Sequence, residues 1–545
     1  MPPLSACRRR GLLGSLLAGV LLLGSLAPAP LRAAELLELR LDGLQLPINL
    51  RDLEAWSLDP ERPQGDLGAW LDLLEPGQRL ALLRLLRAPL VRDRSMAQQL
   101  LESWAGQRLL SSLGALLSTD QGEAPSMLHR TLVALLRRQE QVSGIELLRA
   151  LPSQRLRFNL DGLVELAAGW RQQLRAQRQA LELLRRLPLP AGVPLLPLTD
   201  GLTLARGQSG GLAPSTAAPQ VLQLAVRHRS EPLRLQLWQP TQPQVPEGPW
   251  LLLTPGLGGS SAQLAWYAAA LRDRGWPVLL LEHPGSDAAA LRDWLEGRRQ
   301  PPAAETLVDR LQDLQAVVAA VHHGRLPRLG SSVVLVGHSL GSLTSLLAAG
   351  LRPEPGLQRR CDRALAAIPL TNLSQLLQCQ LPQVPLPPPQ PLAQPLRAVL
   401  SLNGFGSLLW PREGLAGLRV PALLLGGSLD LITPPLSEQL GLFQPGMHPR
   451  SRLVLLDGGS HFSPVRIAAG DRALFQLGQE LVGVEPARIQ AMILSLSSDF
   501  LQRELRPHAG PLPAQRRQLG GVSASVLDQR AALRWRQAIQ AVAAP

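Results

Sequence analysis

The stretch that decides the reading is Ser332-Val333-Val334-Leu335-Val336-Gly337-His338-Ser339-Leu340-Gly341. Four β-favouring apolar residues run into Gly-His-Ser-Leu-Gly, and an apolar helical period follows from Leu340 to Gly350. Strand, sharp turn and helix around a G-x-S-x-G pattern make a nucleophile elbow. A serine hydroxyl is a weak nucleophile, so it needs a turn that lifts it clear of the sheet and a base within reach. Gly337 and Gly341 permit the tight backbone, and His338 lies inside the elbow pointing elsewhere. The helix that starts after Ser339 puts its positive dipole end beneath a developing negative charge.

Two later fragments supply the partners. Asp430 stands in Gly427-Ser428-Leu429-Asp430 after an apolar strand, with Thr433-Pro434 beyond it. Its role would be to hold a histidine tautomer and stabilise the imidazolium. His461 follows the last apolar strand in Gly458-Gly459-Ser460-His461 and would be the general base, then acid. His283, His322 and His323 compete less well, since His283 follows an earlier strand and the pair ends a helix. The oxyanion needs two backbone donors. Leu340, directly after the nucleophile, is one; Leu257, in the turn Thr254-Pro255-Gly256-Leu257-Gly258-Gly259, is the other. That turn lacks the Lys and Ser/Thr of a phosphate loop. The triad calls for no metal and no organic cofactor.

Strand-like runs at 221–226 and 233–238 precede alternating apolar strands and helices: strands at 250–253, 278–281, 332–336, 398–402, 422–425 and 453–456, with helices between. This pattern gives an α/β fold with a mostly parallel sheet covered on both faces. The helix over 304–322 is expected to carry Asp309, Arg310 and Asp313 on its surface. The Pro-rich stretch 352–396 enters as a lid insertion. Residues 465–505 read as helical, and the catalytic domain spans 220–507, followed by a helical tail over 508–545. Upstream, Leu37 to Leu46 alternate around Asp42-Gly43, which reads as a hairpin. From 52 to 187 leucines recur at three- and four-residue steps, so 35–187 reads as a hairpin followed by an all-helical domain. The Pro/Gly/Ser-rich run 188–219 reads as a linker.

The chain has 545 residues, 45% hydrophobic and 18% charged, with a formal net charge of +13. Its size calls for two folded units. Every basic residue is Arg, spread along helices among leucines, with 3% aromatics. No basic cluster with stacking aromatics appears, which argues against nucleic acid; contact with a membrane surface stays open. Arg8-Arg9-Arg10 followed by an apolar run to Leu26, shorter than the about 20 residues of a membrane span, reads as a signal peptide over 1–34. An uncleaved anchor is the other reading, and Sec or twin-arginine export are both compatible. The mature enzyme is expected outside the cytoplasm, in a periplasm, thylakoid lumen or medium. There Cys361 and Cys379 can bridge, which would stabilise by about 3 kcal/mol; two buried free thiols are the alternative.

With these residues placed, 221–484 resembles the α/β-hydrolase superfamily, which uses the chain order Ser, Asp, His. Pro255-Gly256-Leu257-Gly258-Gly259, Glu282-His283-Pro284-Gly285-Ser286 and Gly337-His338-Ser339-Leu340-Gly341 carry a likeness to platelet-activating-factor acetylhydrolase and dienelactone-hydrolase-like proteins. Asn372-Leu373-Ser374 with Leu376-Leu377-Gln378-Cys379 looks like exported cyanobacterial hydrolases that carry an uncharacterised helical N-terminal domain. Two departures stand out. The family's His-Gly is Pro255-Gly256 here, and the acetylhydrolase acid position falls near Asn403, which leaves Asp430 as the acid. The resemblance implies hydrolysis of lipid or short acyl esters. Transfer to another acceptor, thioester cleavage, and a non-catalytic binding or scaffold role are the competing readings; the oligomeric state is open.

Overall fold

The computed structural model describes residues 34–91, 103–192, 218–466 and 486–543, apart from 73, 88, 121, 124, 140, 367–368, 370 and 506–507. The expected signal peptide, most of the linker and the first part of the helix expected over 465–505 therefore lie outside the described residues. Contacts divide the chain into two units, 1–101 with 107–164, and 102–106 with 165–545.

In the first unit, Leu36–Leu41 and Leu44–Asn49 pair as the hairpin that Asp42-Gly43 announces, both turn residues having positive φ. The unit is not all-helical, however. Arg155–Asn159 pairs in parallel with Leu36–Leu41, and Leu117–Thr119 and Gly122–Glu123 extend the same sheet to five strands. Arg155-Leu156-Arg157-Phe158-Asn159 alternates with period two, a strand signal hidden inside a leucine-rich helical stretch. Helices Leu50–Leu58, Leu67–Asp72, Pro76–Arg87, Pro125–Leu136 and Gly144–Ala150 pack around a core that includes Leu50, Trp56, Leu151 and Leu156.

The second unit is built on a ten-stranded sheet. Its strands in chain order are β1 Gln220–Leu224, β2 Leu233–Trp238, β3 Pro249–Thr254, β4 Val278–Leu281, β5 Ser332–His338, β6 Leu396–Leu402, β7 Ala422–Gly427, β8 Arg452–Leu456, β9 Gln515–Leu519 and β10 Val522–Leu527. They lie in the order β9-β10-β8-β7-β6-β5-β3-β4-β2-β1. The six strands from β8 to β4 are parallel. Apolar side chains alternate between two cores. Leu252, Val333 and Leu335 face one, with helices α3 Thr306–His322 and α4 Leu340–Ala348. Leu251, Leu253, Val334 and Val336 face the other, with α1 Ser261–Arg272; α2 Ala288–Leu295 lies between α1 and α3 in the chain. A strand buried on both faces must be apolar along its length, and these are.

Three expectations change here. The tail over 508–545 is not simply helical: β9 and β10 form a Gly520-Gly521 hairpin that adds to the sheet beside β8, and only then does a helix, Gln529–Ala543, follow. Of the helix expected over 465–505, the described part is Pro486–Leu505. Arg310 and Asp313 are not on the surface of α3; both are fully buried. Asp313 accepts from His228 Nε2 (2.7 Å), His283 Nδ1 (2.9 Å) and Arg229 Nε and Nη2 (2.9 and 2.6 Å). Four donors on one carboxylate offset the cost of burying it. Residues 165–187, expected in the helical domain, fall in the second unit, where Trp535 Nε1 donates to Ala180 O at 2.8 Å.

The insertion after α4 carries α5 Leu357–Ala364 and α6 Ser374–Gln378, joined by the Cys361–Cys379 disulfide. Its anchor is Glu438, a fully buried carboxylate. Glu438 accepts from Asn372 Nδ2 (2.6 Å) and Gln378 Nε2 (3.2 Å) in the insertion, and from Gly406 N (2.8 Å), Ser407 N (2.9 Å) and Ser407 Oγ (2.7 Å) after β6. The Asn372 and Gln378 of the quoted motif are thus hydrogen-bond partners of one carboxylate. Among the described residues, no helix is long and apolar enough to cross a membrane.

Glu438→Gln puts an amide nitrogen against N–H donors and should destabilise by about 2–4 kcal/mol. A thermal midpoint lowered by about 2–5 °C checks this; an unchanged midpoint refutes the anchoring role. Burial, with a smaller push from the Arg310 charge, lowers the His283 imidazole to about 4. A histidine held neutral in the folded chain but free to protonate near 6.5 when unfolded makes stability fall as pH drops from about 6.5 towards 4. The slope is at most about 1.4 kcal/mol per pH unit for this group. His283→Asn, which keeps a donor towards Asp313, should flatten the fall in thermal midpoint between pH 6.5 and 4.5. A slope equal to wild type would count against it.

Candidate active site

The elbow is tight because its glycines touch backbone. A Cβ on Gly337 would stand 2.2 Å from the Gly341 carbonyl carbon, and one on Gly341 would stand 2.2 Å from Thr254 O. Only hydrogen fits at either place. Between them Ser339 sits at φ 53°, ψ −118°, a conformation that non-glycine residues hold only under compulsion from their surroundings. Ser339 N donates to Leu402 O at 2.9 Å, which ties the turn to the next strand.

Asp430 leaves the end of β7 in a turn closed by its own N–H on Gly427 O (3.2 Å). His461 leaves the end of β8, and Leu429 N donates to Gly459 O at 2.8 Å, so the two turns are stitched together. These strand ends bring the three side chains into one line. His461 Nε2 is 3.0 Å from Ser339 Oγ, and His461 Nδ1 is 3.0 Å from Asp430 Oδ2. An ionised carboxylate only accepts, so Nδ1 carries the proton and Nε2 presents its lone pair to the serine hydroxyl. Asp430 is fully buried, His461 nearly so, and Ser339 half-buried.

Asp430 has further support that the sequence did not announce. Its Oδ1 accepts from Ile432 N (2.9 Å) and Thr433 N (2.8 Å), and its Oδ2 from Thr433 Oγ1 (2.6 Å) and Asn403 Nδ2 (2.7 Å). Burial alone would raise this carboxyl, but the His461 ring and the Thr433 donors outweigh it and hold it below the usual carboxylate range. Asn403, at φ 48° after β6, thus bonds the acid from the position where relatives were expected to carry an acid of their own. The only cue was the Thr-Pro after Asp430, which reads as a turn. The insertion also reaches this loop: Leu373 N donates to Leu431 O (3.3 Å) and Ser374 N to Ile432 O (2.9 Å).

His338 does point away from the serine. Its Nε2–H donates to the carbonyl oxygen of His461 at 2.9 Å, so the elbow braces the backbone of the base. Burial and the neighbouring His461 push its imidazole down to about 3, which keeps it neutral. The expected oxyanion donors lie on the two segments that meet at the elbow. Leu340 is the first residue of α4, where an N–H has no partner inside the helix. In the turn after β3, Gly258 N donates to Ser286 O (2.8 Å) and Gly259 N to Gly256 O (3.2 Å), and among the described residues no acceptor faces the N–H of Leu257. Also among the described residues, no group of three or more His, Cys, Asp or Glu is placed to hold a metal ion.

Such an arrangement can take a proton from Ser339, place the resulting positive charge beside a buried carboxylate, and offer two N–H groups to a developing oxyanion. Residues 251–470 match the model of the alpha/beta hydrolase family. Residues 33–159 match that of an alpha/beta hydrolase of unknown function (DUF1400), a stretch that falls, apart from 102–106, in the first unit. No curated protein matches the chain. Strand order, elbow and family match agree: the chain carries a domain of the α/β-hydrolase superfamily, matched over residues 251–470.

Proposed function

We propose that the chain is a serine hydrolase that cleaves carboxylic esters through an acyl-enzyme. The observation that carries this is the unbroken line from Ser339 Oγ through the His461 ring to Asp430, set on a strained elbow. Ser339 attacks the ester carbonyl carbon while His461 Nε2 takes its proton. The carbonyl oxygen becomes an oxyanion that accepts from the N–H groups of Leu257 and Leu340. Collapse of the tetrahedral adduct breaks the ester C–O bond, and His461 returns the proton to the leaving alcohol. Water then attacks the acyl-serine by the same route in reverse, releasing the acid. Asp430 holds the ring and its charge throughout.

Two features bear on substrate and compartment. Leu257 on the oxyanion turn, Leu429 beside the acid and Leu373 on the insertion are 39%, 48% and 38% exposed. Exposed leucines on the segments that carry the site favour an apolar acyl group, from a lipid or a short-chain ester, over a charged metabolite. The Cys361–Cys379 disulfide favours an exported enzyme, because such bonds persist in oxidising compartments.

Ser339→Ala should abolish labelling by a fluorophosphonate probe and lower p-nitrophenyl ester hydrolysis by at least about 10⁴-fold, with the thermal midpoint retained. Equal hydrolysis by mutant and wild type would show that another group is the nucleophile. Asp430→Asn should lower kcat by about 10³–10⁴-fold, by presenting a donor where the His461 Nδ1 proton needs an acceptor. A loss smaller than about tenfold would remove Asp430 from the triad. A rate profile across acetate to palmitate esters tests the acyl preference, which should favour chains longer than acetate.

A further inference from the structure

Arg310 lies on α3 in the second unit and the triad makes no use of it. It is fully buried, one helical turn before Asp313 on α3, yet the Asp313 oxygens are occupied by His228, Arg229 and His283. Among the described residues Arg310 forms no ion pair of its own. Burial lowers its ionisation to about 9, the nearby Asp313 carboxylate offsetting part of the fall and the Arg229 charge adding to it, which leaves it positive at neutral pH. A buried cation whose hydrogen bonds all go to neutral groups is costly, and its partners show what it holds.

Each arm of the guanidinium ends next to an expected oxyanion donor. Nη2 donates to Pro255 O, two residues before Leu257. Nη1 donates to Ser286 Oγ at 2.9 Å, and the backbone oxygen of Ser286 accepts from Gly258 N, directly after Leu257. Nε donates to Thr344 Oγ1 at 3.2 Å, and Thr344 Oγ1 donates in turn to Leu340 O at 2.8 Å. The turn after β3 is therefore gripped on both sides of Leu257, and the helix start is gripped at Leu340. Backbone donors act in catalysis only if they are fixed before the oxyanion forms, because reorganisation during the step would consume the gain.

We infer that Arg310 is the positioning residue of the oxyanion hole: a buried guanidinium that fixes the Leu257 and Leu340 N–H groups relative to each other. The inference rests on the ester-hydrolase reading above and goes beyond the triad. A planar, three-sided donor is needed for this, which a lysine ammonium cannot reproduce.

The test compares wild type with Arg310→Lys, Arg310→Gln and Thr344→Val, the last removing only the link to Leu340. Four quantities are read on the intact chain: kcat and KM on a p-nitrophenyl ester, the Ki of a boronic acid that forms a tetrahedral adduct on Ser339, and the Ki of the matching unreactive amide. Kcat and boronate affinity should fall together, by about 10²-fold for Arg310→Gln and at least about tenfold for Arg310→Lys. KM and amide affinity should stay within about threefold. Thr344→Val should show the same split at about three- to tenfold. Retention of kcat within threefold in all folded variants overturns the inference. So does a parallel loss of kcat, KM, amide affinity and thermal midpoint, which would mark a purely structural role. If Arg310→Gln does not fold, Arg310→Lys and Thr344→Val decide. Wild type that fails to hydrolyse esters or to bind the boronate would instead defeat the ester-hydrolase reading, and this inference with it.

Discussion

Between Gly337 and Gly341 the backbone folds back so closely that a β-carbon at either residue would collide with a main-chain atom, and that crowding organises everything around it. Because Gly341 lies against Thr254 O, the end of β3 must pass directly under the start of α4. The turn after β3, with Leu257, is therefore brought beside the nucleophile by packing and not by any side chain of its own. The same crowding forces Ser339 into its positive-φ conformation and leaves the N–H of Leu340 at a helix start. One close approach thus brings Ser339 together with the two segments that carry the expected oxyanion donors.

The acid side is organised differently, by satisfied polar groups. Asp430 and Glu438 are both fully buried carboxylates, and each is surrounded by N–H and O–H donors from several chain segments. A carboxylate held by many short bonds links whatever supplies them. Through Glu438 the insertion is fixed to the segment after β6, and through Leu373 and Ser374 it is fixed to the loop of Asp430. The insertion is part of the support of the acid, and its disulfide closes the same region.

Local signals in the sequence carried the elbow, the parallel strands and the Asp-Gly hairpin, because each is a short pattern whose physics is complete within a few residues. What it hid is of three kinds. The strand Arg155–Asn159 alternates correctly but sits in a leucine-rich neighbourhood with helical spacing on both sides. Gln515–Leu519 carries two arginines and two glutamines, so hydropathy gives no strand, and Gly520-Gly521 was the one usable hairpin cue. Arg310 and Asp313 were assigned to a helix surface because charge predicts exposure. That rule fails where buried charges meet partners from distant segments, and no local window contains His228, His283 and Ser286 together with α3. Asn403 and Thr433 were missed for the same reason: a supporting hydrogen bond has no spacing signature.

These buried charges bear directly on the proposed reaction. Asp430, His461, Ser339, the Leu340 and Leu257 donors and Arg310 form one connected series, with a carboxylate at one end and a guanidinium at the other. When the serine proton moves to His461, positive charge appears next to the carboxylate. As the carbonyl carbon is attacked, negative charge appears at donors backed by the guanidinium. In that reading the carboxylate at one end and the guanidinium at the other, the latter partly balanced by Asp313 one turn along α3, are both in place in the folded chain before the reaction starts. His338 and His283, close by and titratable in principle, are kept neutral by burial. They therefore add no charge that would weaken this polarity between about pH 5 and 8. A site built this way would owe its field to burial and to fixed ions, so polar residues that never touch a substrate would contribute to it alongside the triad.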